Sequence, residues 1–234
     1  MKILWLITAR SGSKSIPDKN IKLLGGEPLL NYRIKTALSL GINSEVWIST
    51  DSEVYAKIAE KTGAKVPFIR PKNLAEDSTS STDVVLHAME YANNNGFSFN
   101  YIGLLEPTSP FIRRDYLINA LEQLDRTLEA TSIVAVKVQR PNTVFVQDDD
   151  KYLSEIANNL SKLKYLGRQE FRKQITPSGG FYISKWLDFM NNKSFYTSKT
   201  LSFMVDEISG LEIDEKIDWD FAEFLIEKKI VKQY

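Results

Sequence analysis

The hydrophobic positions fall into short unbroken runs, separated by stretches in which they recur every three or four residues. Ile3-Leu4-Trp5-Leu6-Ile7 is an apolar run with the length of a buried strand. Comparable runs at 45–50, 100–105, 131–138 and 179–183 read as further strands. Leu30, Ile34, Ala37 and Leu38 share one face of a helix expected over 29–40, with Pro28 at its first turn and Gly41 at its end. Further helices are expected over 52–62, closed by Gly63, and over 83–94, 113–125 and 185–191. A last amphipathic helix holds Trp219, Ala222, Phe224 and Leu225. Residues 66–69 read as a short strand that Pro67 favours at an edge, and residues 202–205 as an outer strand. Strand followed by helix, repeated, predicts an α/β fold: a mostly parallel sheet with helices on both faces.

The alternation breaks at 139–175. This stretch has polar strand-like residues at 143–147, an acidic turn Asp148-Asp149-Asp150 and a basic stretch at 168–173. Tyr152, Leu153, Ile156, Leu160, Leu163, Tyr165 and Phe171 are too many apolar groups for a disordered tract. The expected organisation is therefore an α/β domain of residues 1–138 and 176–234, interrupted by an insertion of residues 139–175 that packs on a partner subunit.

Candidate chemistry gathers where the strands end. The first strand runs into Ala9-Arg10-Ser11-Gly12-Ser13-Lys14-Ser15-Ile16-Pro17-Asp18-Lys19-Asn20, a small polar loop with three cations. Small residues let backbone N–H groups approach a ligand, and three cations suit a highly charged anion. Open α/β sheets place ligands at the carboxyl ends of their strands, so the loop reads as a polyphosphate site. It is neither G-x-x-x-x-G-K-S/T nor G-x-G-x-x-G, which argues against a P-loop ATPase and a nicotinamide dehydrogenase. Asp51, after the second strand, suits either a helix cap or a site role. The hydroxyls of residues 78–81 suit helix capping or a ribose and base edge. Glu106-Pro107-Thr108-Ser109-Pro110 is a rigid loop fit for a pocket wall. Glu212 and Asp214 alternate about Ile213; on an extended segment they share one face and can hold a hard cation, while Asp218 can cap the last helix.

Composition narrows the field. The 234 residues balance 30 Lys and Arg against 30 Asp and Glu, so charge makes no case for a nucleic acid or membrane partner. The absence of cysteine excludes disulfides, Cys-ligated zinc and thiol catalysis. His87, the one histidine, lies in a helical pattern and reads as a packed or surface residue. The opening apolar run is too short for a signal-peptide core and no run approaches the ~20 residues of a membrane span, so a cytoplasmic location is expected.

The opening A-R-S-G-S-K-S-I-P-D-K-N-I-K resembles the N-terminal signature of the acylneuraminate cytidylyltransferases, the CMP-sialic acid synthetases. In the same order follow S-T-D at 49–51, R-P-x-x-L-A-x-D-x-x-S-S from Arg70, P-T-S-P at 107–110, R-Q at Arg168 and Gln169, G-G-F-Y-I at 179–183, and E-I-D…I-D-W near the end. The resemblance covers essentially the whole chain. It implies a Rossmann-like nucleotidyltransferase with a small dimerisation insertion, a homodimer, Mg²⁺ as cofactor, and CTP and a nine-carbon α-keto sugar acid as substrates. Arg10, Ser13, Lys14, Lys19 and Asn20 are implied to bind the CTP phosphates and nucleoside, and Arg70, Thr79 and Ser81 the cytidine side. Arg168, with Arg10 and Lys19, is implied in catalysis; Glu106, Arg168 and Gln169 in sugar binding; Asp214 with Glu212 in holding Mg²⁺. Three positions depart from the usual pattern: Glu106 stands for Gln, Glu212 for Asp and Ser15 for Gly. CMP-Kdo-type and sugar-1-phosphate nucleotidyltransferases, and an inactive nucleotide-binding homologue, are the alternatives.

Overall fold

The opening apolar run forms β1 (Ile3–Thr8), whose first five residues are buried. A computed structural model describes residues 2–139, 145–147, 153–155 and 174–231. After β1 come a two-residue hairpin, β2 (Leu23–Leu24) and β3 (Glu27–Pro28), then α1 (Leu29–Leu38), β4 (Ser44–Ser49) and α2 (Glu53–Thr62). Next are α3 (Ser81–Asn94), β5 (Tyr101–Leu105), α4 (Arg114–Arg126) and β6 (Ser132–Gln139). The short strands β7 (Phe145–Gln147) and β8 (Leu153–Glu155) pair with each other. The chain closes with β9 (Gln174–Lys185), α5 (Trp186–Asn192), β10 (Thr200–Met204) and α6 (Lys216–Glu227).

Six strands make one sheet in the order β10-β6-β9-β5-β1-β4. Its pairs are parallel except those of β9, which runs antiparallel to both β5 and β6. The predicted mostly parallel sheet is therefore present, with one reversed strand. Successive β1 side chains turn to opposite faces, as strand geometry requires. Ile3, Trp5 and Ile7 join the core under α1, α2 and α4; Leu4 and Leu6 join the core under α3 and α5. A smaller third core seats α6, through Trp219, Ala222 and Leu225, on Ile16, Leu24, Tyr32, Phe111 and Ile213. Gly103 in β5 makes room for the Trp5 ring, which a Cβ there would strike.

Several expectations change in detail. Residues 66–69 form no strand: Lys65 makes a single parallel bridge to Trp47, and Pro67, lacking an N–H, stops the ladder from growing. The outer strand spans Thr200–Met204, and α1 stops at Leu38. β6 and β9 pair as far as Gln139 with Gln174, so the chain leaves the sheet and re-enters it at facing positions. Asp148-Asp149-Asp150 and the basic stretch with Arg168 and Gln169 lie outside the described residues.

Candidate active site

β4, β1 and β5 are parallel neighbours, so their carboxyl ends and the loops after them meet at one edge of the sheet. The loop after β1 is held from several sides. Ala9 N–H donates to Ser49 O (3.0 Å), and the Asn20 side-chain amide donates to Arg10 O (3.0 Å). Ser11 donates its N–H to Asp51 Oδ1 (2.8 Å) and its hydroxyl to Asp51 Oδ2 (2.6 Å). Tyr55 on α2 donates to Asp18 Oδ1 (3.1 Å), and Ile16 is buried in the third core. Gly12 has φ +77° and Asp18 φ +49°, so the loop turns twice through the left-handed region.

Asp51 thus pins this loop and does not cap α2; Ser52 is the cap, accepting from Tyr55 N–H. Burial alone pushes the Asp51 carboxyl up, but the hydrogen bonds from Ser11, with the charge of Arg70, outweigh it and hold it below the usual range. Ser80 caps α3, which starts at Ser81 rather than residue 83. Thr79 donates its hydroxyl to Asn73 O (3.2 Å). Asp218 forms a capping box with Glu215 at the start of α6 and accepts from the N–H groups of Asp214 and Glu215.

A cleft of about 380 Å³ opens at this edge. Of the residues singled out in the sequence, Arg10, Ser13, Lys19, Asn20, Arg70, Thr79, Ser81, Glu106 and Asp214 line it. Lys14 does not line it, but shares Asp77 with Arg10: Asp77 Oδ1 lies 2.6 Å from Arg10 Nη2, and Asp77 Oδ2 pairs with Lys14 Nζ. Arg70 is 4% exposed and donates to Ser49 O (2.6 Å) and Leu74 O (3.4 Å), bracing β4 against the loop that follows it. Burial, opposed by the charge of Asp51 and helped by that of Arg10, pulls its pKa down to about 10. Its Nε is buried without a hydrogen-bond partner. His87 is packed edge-on against Phe68, and burial lowers its pKa.

The opposite wall is acidic. Ile213 N–H donates to Thr108 O (2.7 Å), fastening this segment to the Pro107–Pro110 loop. Ile213 is buried in the third core, leaving Glu212 and Asp214 on either side of it. Burial, then repulsion from Glu212 and Asp214, raises the Glu106 pKa to about 7, against a smaller opposing effect of Lys19. Burial and its acidic neighbours also raise Glu212, with Lys137 opposing. Lys19, almost fully buried, crosses between the walls: its Nζ donates to Ile213 O (2.8 Å) and lies 3.5 Å from Asp214 Oδ1. Gly179, at φ +60°, borders both acids; a Cβ there would strike the Glu212 carboxyl and lie 3.1 Å from Glu106 Oε2.

Among the described residues, no three acidic or histidine side chains form a ready metal cage. The acidic wall nevertheless suits Mg²⁺, which takes one or two carboxylates and completes its shell with water and phosphate oxygens. The repulsion lifting Glu106 is of the kind a divalent cation relieves. Sequence reasoning missed Asp77 and Gly179. Asp77 stood in the motif from Arg70, but its partner Arg10 lies 67 residues earlier in the chain; Gly179 stood in the Gly-Gly pair.

A sheet of this order sets a cationic loop and an acidic segment facing each other across its carboxyl edge, an arrangement suited to a polyphosphate. A family model described as cytidylyltransferase matches residues 4–232, and the chain belongs to that family. The chain is 34% identical over 231 residues to an N-acylneuraminate cytidylyltransferase of Escherichia coli, covering 97% of this chain and 53% of that protein. It is 31% identical to a pseudaminic acid cytidylyltransferase of Campylobacter jejuni, covering 96% of each. It is 32% identical to a CMP-N,N'-diacetyllegionaminic acid synthase of Legionella pneumophila, covering 97% of each. The chain thus spans about half the length of the first relative and nearly all of the other two. Among solved structures, CMP:2-keto-3-deoxy-manno-octonic acid synthetase complexed with CTP superimposes with a TM-score of 0.70 at 18% identity, over 98% of this chain and 100% of that one. This likeness shows the fold.

Proposed function

We propose that this chain transfers the cytidylyl group of CTP to a nonulosonic, sialic-acid-like sugar acid, giving a CMP-sugar and pyrophosphate. The observation that carries this reading is the cleft itself. In a member of the cytidylyltransferase family, it brings Arg10 and Lys19 of the first loop, Thr79 and Ser81 at the start of α3, and the acidic Glu106 and Asp214 to one place.

The anomeric hydroxyl of the sugar acid attacks the α-phosphorus of CTP. The new P–O bond forms as the bond to the β-phosphate oxygen breaks, the hydroxyl proton is lost, and pyrophosphate leaves. Arg10, Lys14 and Lys19 hold the phosphates and spread the charge that grows on them. Ser13 and Asn20 shape the loop around the nucleotide, while Arg70, Thr79 and Ser81 wall the cytidine side. Both substrates in one cleft supply orientation. Glu212 and Asp214 would hold Mg²⁺, which offsets phosphate charge when bound. Glu106 borders the sugar end. Arg168 and Gln169, which lie outside the described residues, would meet the sugar acid, and a homodimer is part of this reading. A cytoplasmic location belongs to this reading; among the described residues, no helix is long and apolar enough to cross a membrane.

The test incubates the purified chain with Mg²⁺, each of the four NTPs and a panel of α-keto sugar acids and sugar phosphates, and measures pyrophosphate. Release is expected with CTP and one or more nonulosonic acids. No release from any such pair would sink the proposal, and release with sugar phosphates alone would replace it with a sugar-1-phosphate nucleotidyltransferase.

A further inference from the structure

The two outer cations of the phosphate loop are paired within the chain. Asp77 gives one oxygen to Arg10 and the other to Lys14, and Arg10 Nη1 also approaches Ala75 O at 3.5 Å. One anion spanning an arginine and a lysine is how a phosphate group engages them. The carboxylate is 47% exposed, and the Lys14 side chain 80%. Ion pairs this wet are weak and exchange easily. Lys19 differs: its ammonium is buried and held first by the Ile213 carbonyl at 2.8 Å, with the Asp214 carboxylate farther off at 3.5 Å.

We propose that Asp77 holds the phosphate seat of the cleft, and that a nucleotide's polyphosphate must displace its carboxylate from Arg10 and Lys14 in order to bind. Asp77 is thus an internal competitor of the nucleotide, set on the loop that leads into α3. The hydrogen bonds from Lys14 and Arg10 hold its carboxyl below the usual range, so it competes as an anion throughout the neutral pH range. The inference rests on the reading of this cleft as the nucleotide site. A carboxylate left a few ångströms from the phosphates repels them, and an uncharged side chain there does not.

The experiment titrates CTP and, separately, inorganic pyrophosphate into the full-length chain and its Asp77→Asn and Asp77→Ala variants by calorimetry at fixed ionic strength. Thermal melting confirms that each variant is folded. Both variants are expected to bind both ligands about three- to tenfold more tightly than the parent, the size set by one unit charge near the surface. Unchanged or weaker binding in the Asn variant would overturn the proposal and make Asp77 a brace that shapes the cations for the ligand. A parent that binds pyrophosphate but not CTP defeats the cytidylyl reading alone, because the pyrophosphate arm still decides the role of Asp77. A parent that binds neither defeats both.

Discussion

Replacing Glu106 with glutamine isolates the electrostatic cost built into the acidic wall. The folded carboxyl titrates near 7 against a reference of 4.5, because it is partly buried and faces Glu212 and Asp214. The folded state therefore holds this proton more tightly than the unfolded chain does. The contribution to stability is full below pH 4.5, falls as pH rises through the window from 4.5 to 7, and is lost above 7. At 1.36 kcal/mol per pKa unit, the loss across that window is about 3 kcal/mol. Glutamine keeps the shape and removes the titration. The stability of Glu106→Gln relative to the parent is then expected to rise by about 3 kcal/mol between pH 4 and pH 8, roughly 6–12 °C in Tm for a chain of this size.

Thermal melts of both proteins every half pH unit, without divalent cation, read this directly. The two curves should lie close at low pH and separate through the window, with the variant above. Parallel curves would refute the reasoning, since they would mean that Glu106 ionises in the folded protein as it does in the unfolded one. A variant that loses stability at pH 8 would refute it more strongly, by showing that the charged carboxylate has a partner it prefers to water.

Added Mg²⁺ should raise the melting temperature of the parent more at pH 8 than at pH 5, and Glu212→Ala should abolish most of that gain; equal shifts at both pH values would place the cation elsewhere. Gly179→Ala puts a Cβ against the Glu212 carboxyl on a backbone at φ +60°, and is expected to cost about 1–3 kcal/mol in denaturant unfolding and to cut turnover. Asp51→Ala frees Ser11 and the loop it pins, so the KM for CTP should rise by roughly tenfold in steady-state kinetics. Arg168→Ala should cut turnover strongly while calorimetric CTP affinity stays close to the parent's; an equal loss of affinity would put this arginine on the nucleotide.

How much of this was legible depended on whether the cause lay near in sequence. β1 was plain because it is buried on both faces and so carries no polar interruption. α2 was plain because Gly63 ends it at φ +105°. β9 was recognisable only from residue 179 on, since Gln174 to Ser178 show no apolar run; their strand state comes from pairing with β6. Its reversed direction also left no local mark. Residues 66–69 misled for the opposite reason: their apolar character serves packing, with Phe68 against Tyr91 and His87, while Pro67 denies them a ladder. The site divides in the same way. The cations of the loop could be read as a group because they follow one another along the chain. The bracing of Arg70 on Ser49 O and Leu74 O, and the capture of Arg10 by Asp77, belong to the folded geometry.

Zero net charge, read over the whole chain, gave no hint of a site for a polyanion, yet the cleft is far from featureless. Its cationic side is answered internally: Arg10 and Lys14 by Asp77, Lys19 by Ile213 O and Asp214, and Arg70 by two backbone carbonyls. Its acidic side is not answered to the same degree, since Glu106 and Glu212 are both raised and Lys19 offsets only part of the repulsion at Glu106. A polyphosphate arriving alone would meet cations already paired and carboxylates already crowded. A polyphosphate arriving with a divalent cation brings an anion for Arg10 and Lys14 and positive charge for the acidic wall together. On the proposed function, this asymmetry predicts that the metal–nucleotide complex binds better than the free nucleotide. CTP affinity should accordingly rise on adding Mg²⁺ in the parent and much less in Glu212→Ala, with calorimetry at constant ionic strength as the measure and an equal rise in both proteins as the result that would reject the argument.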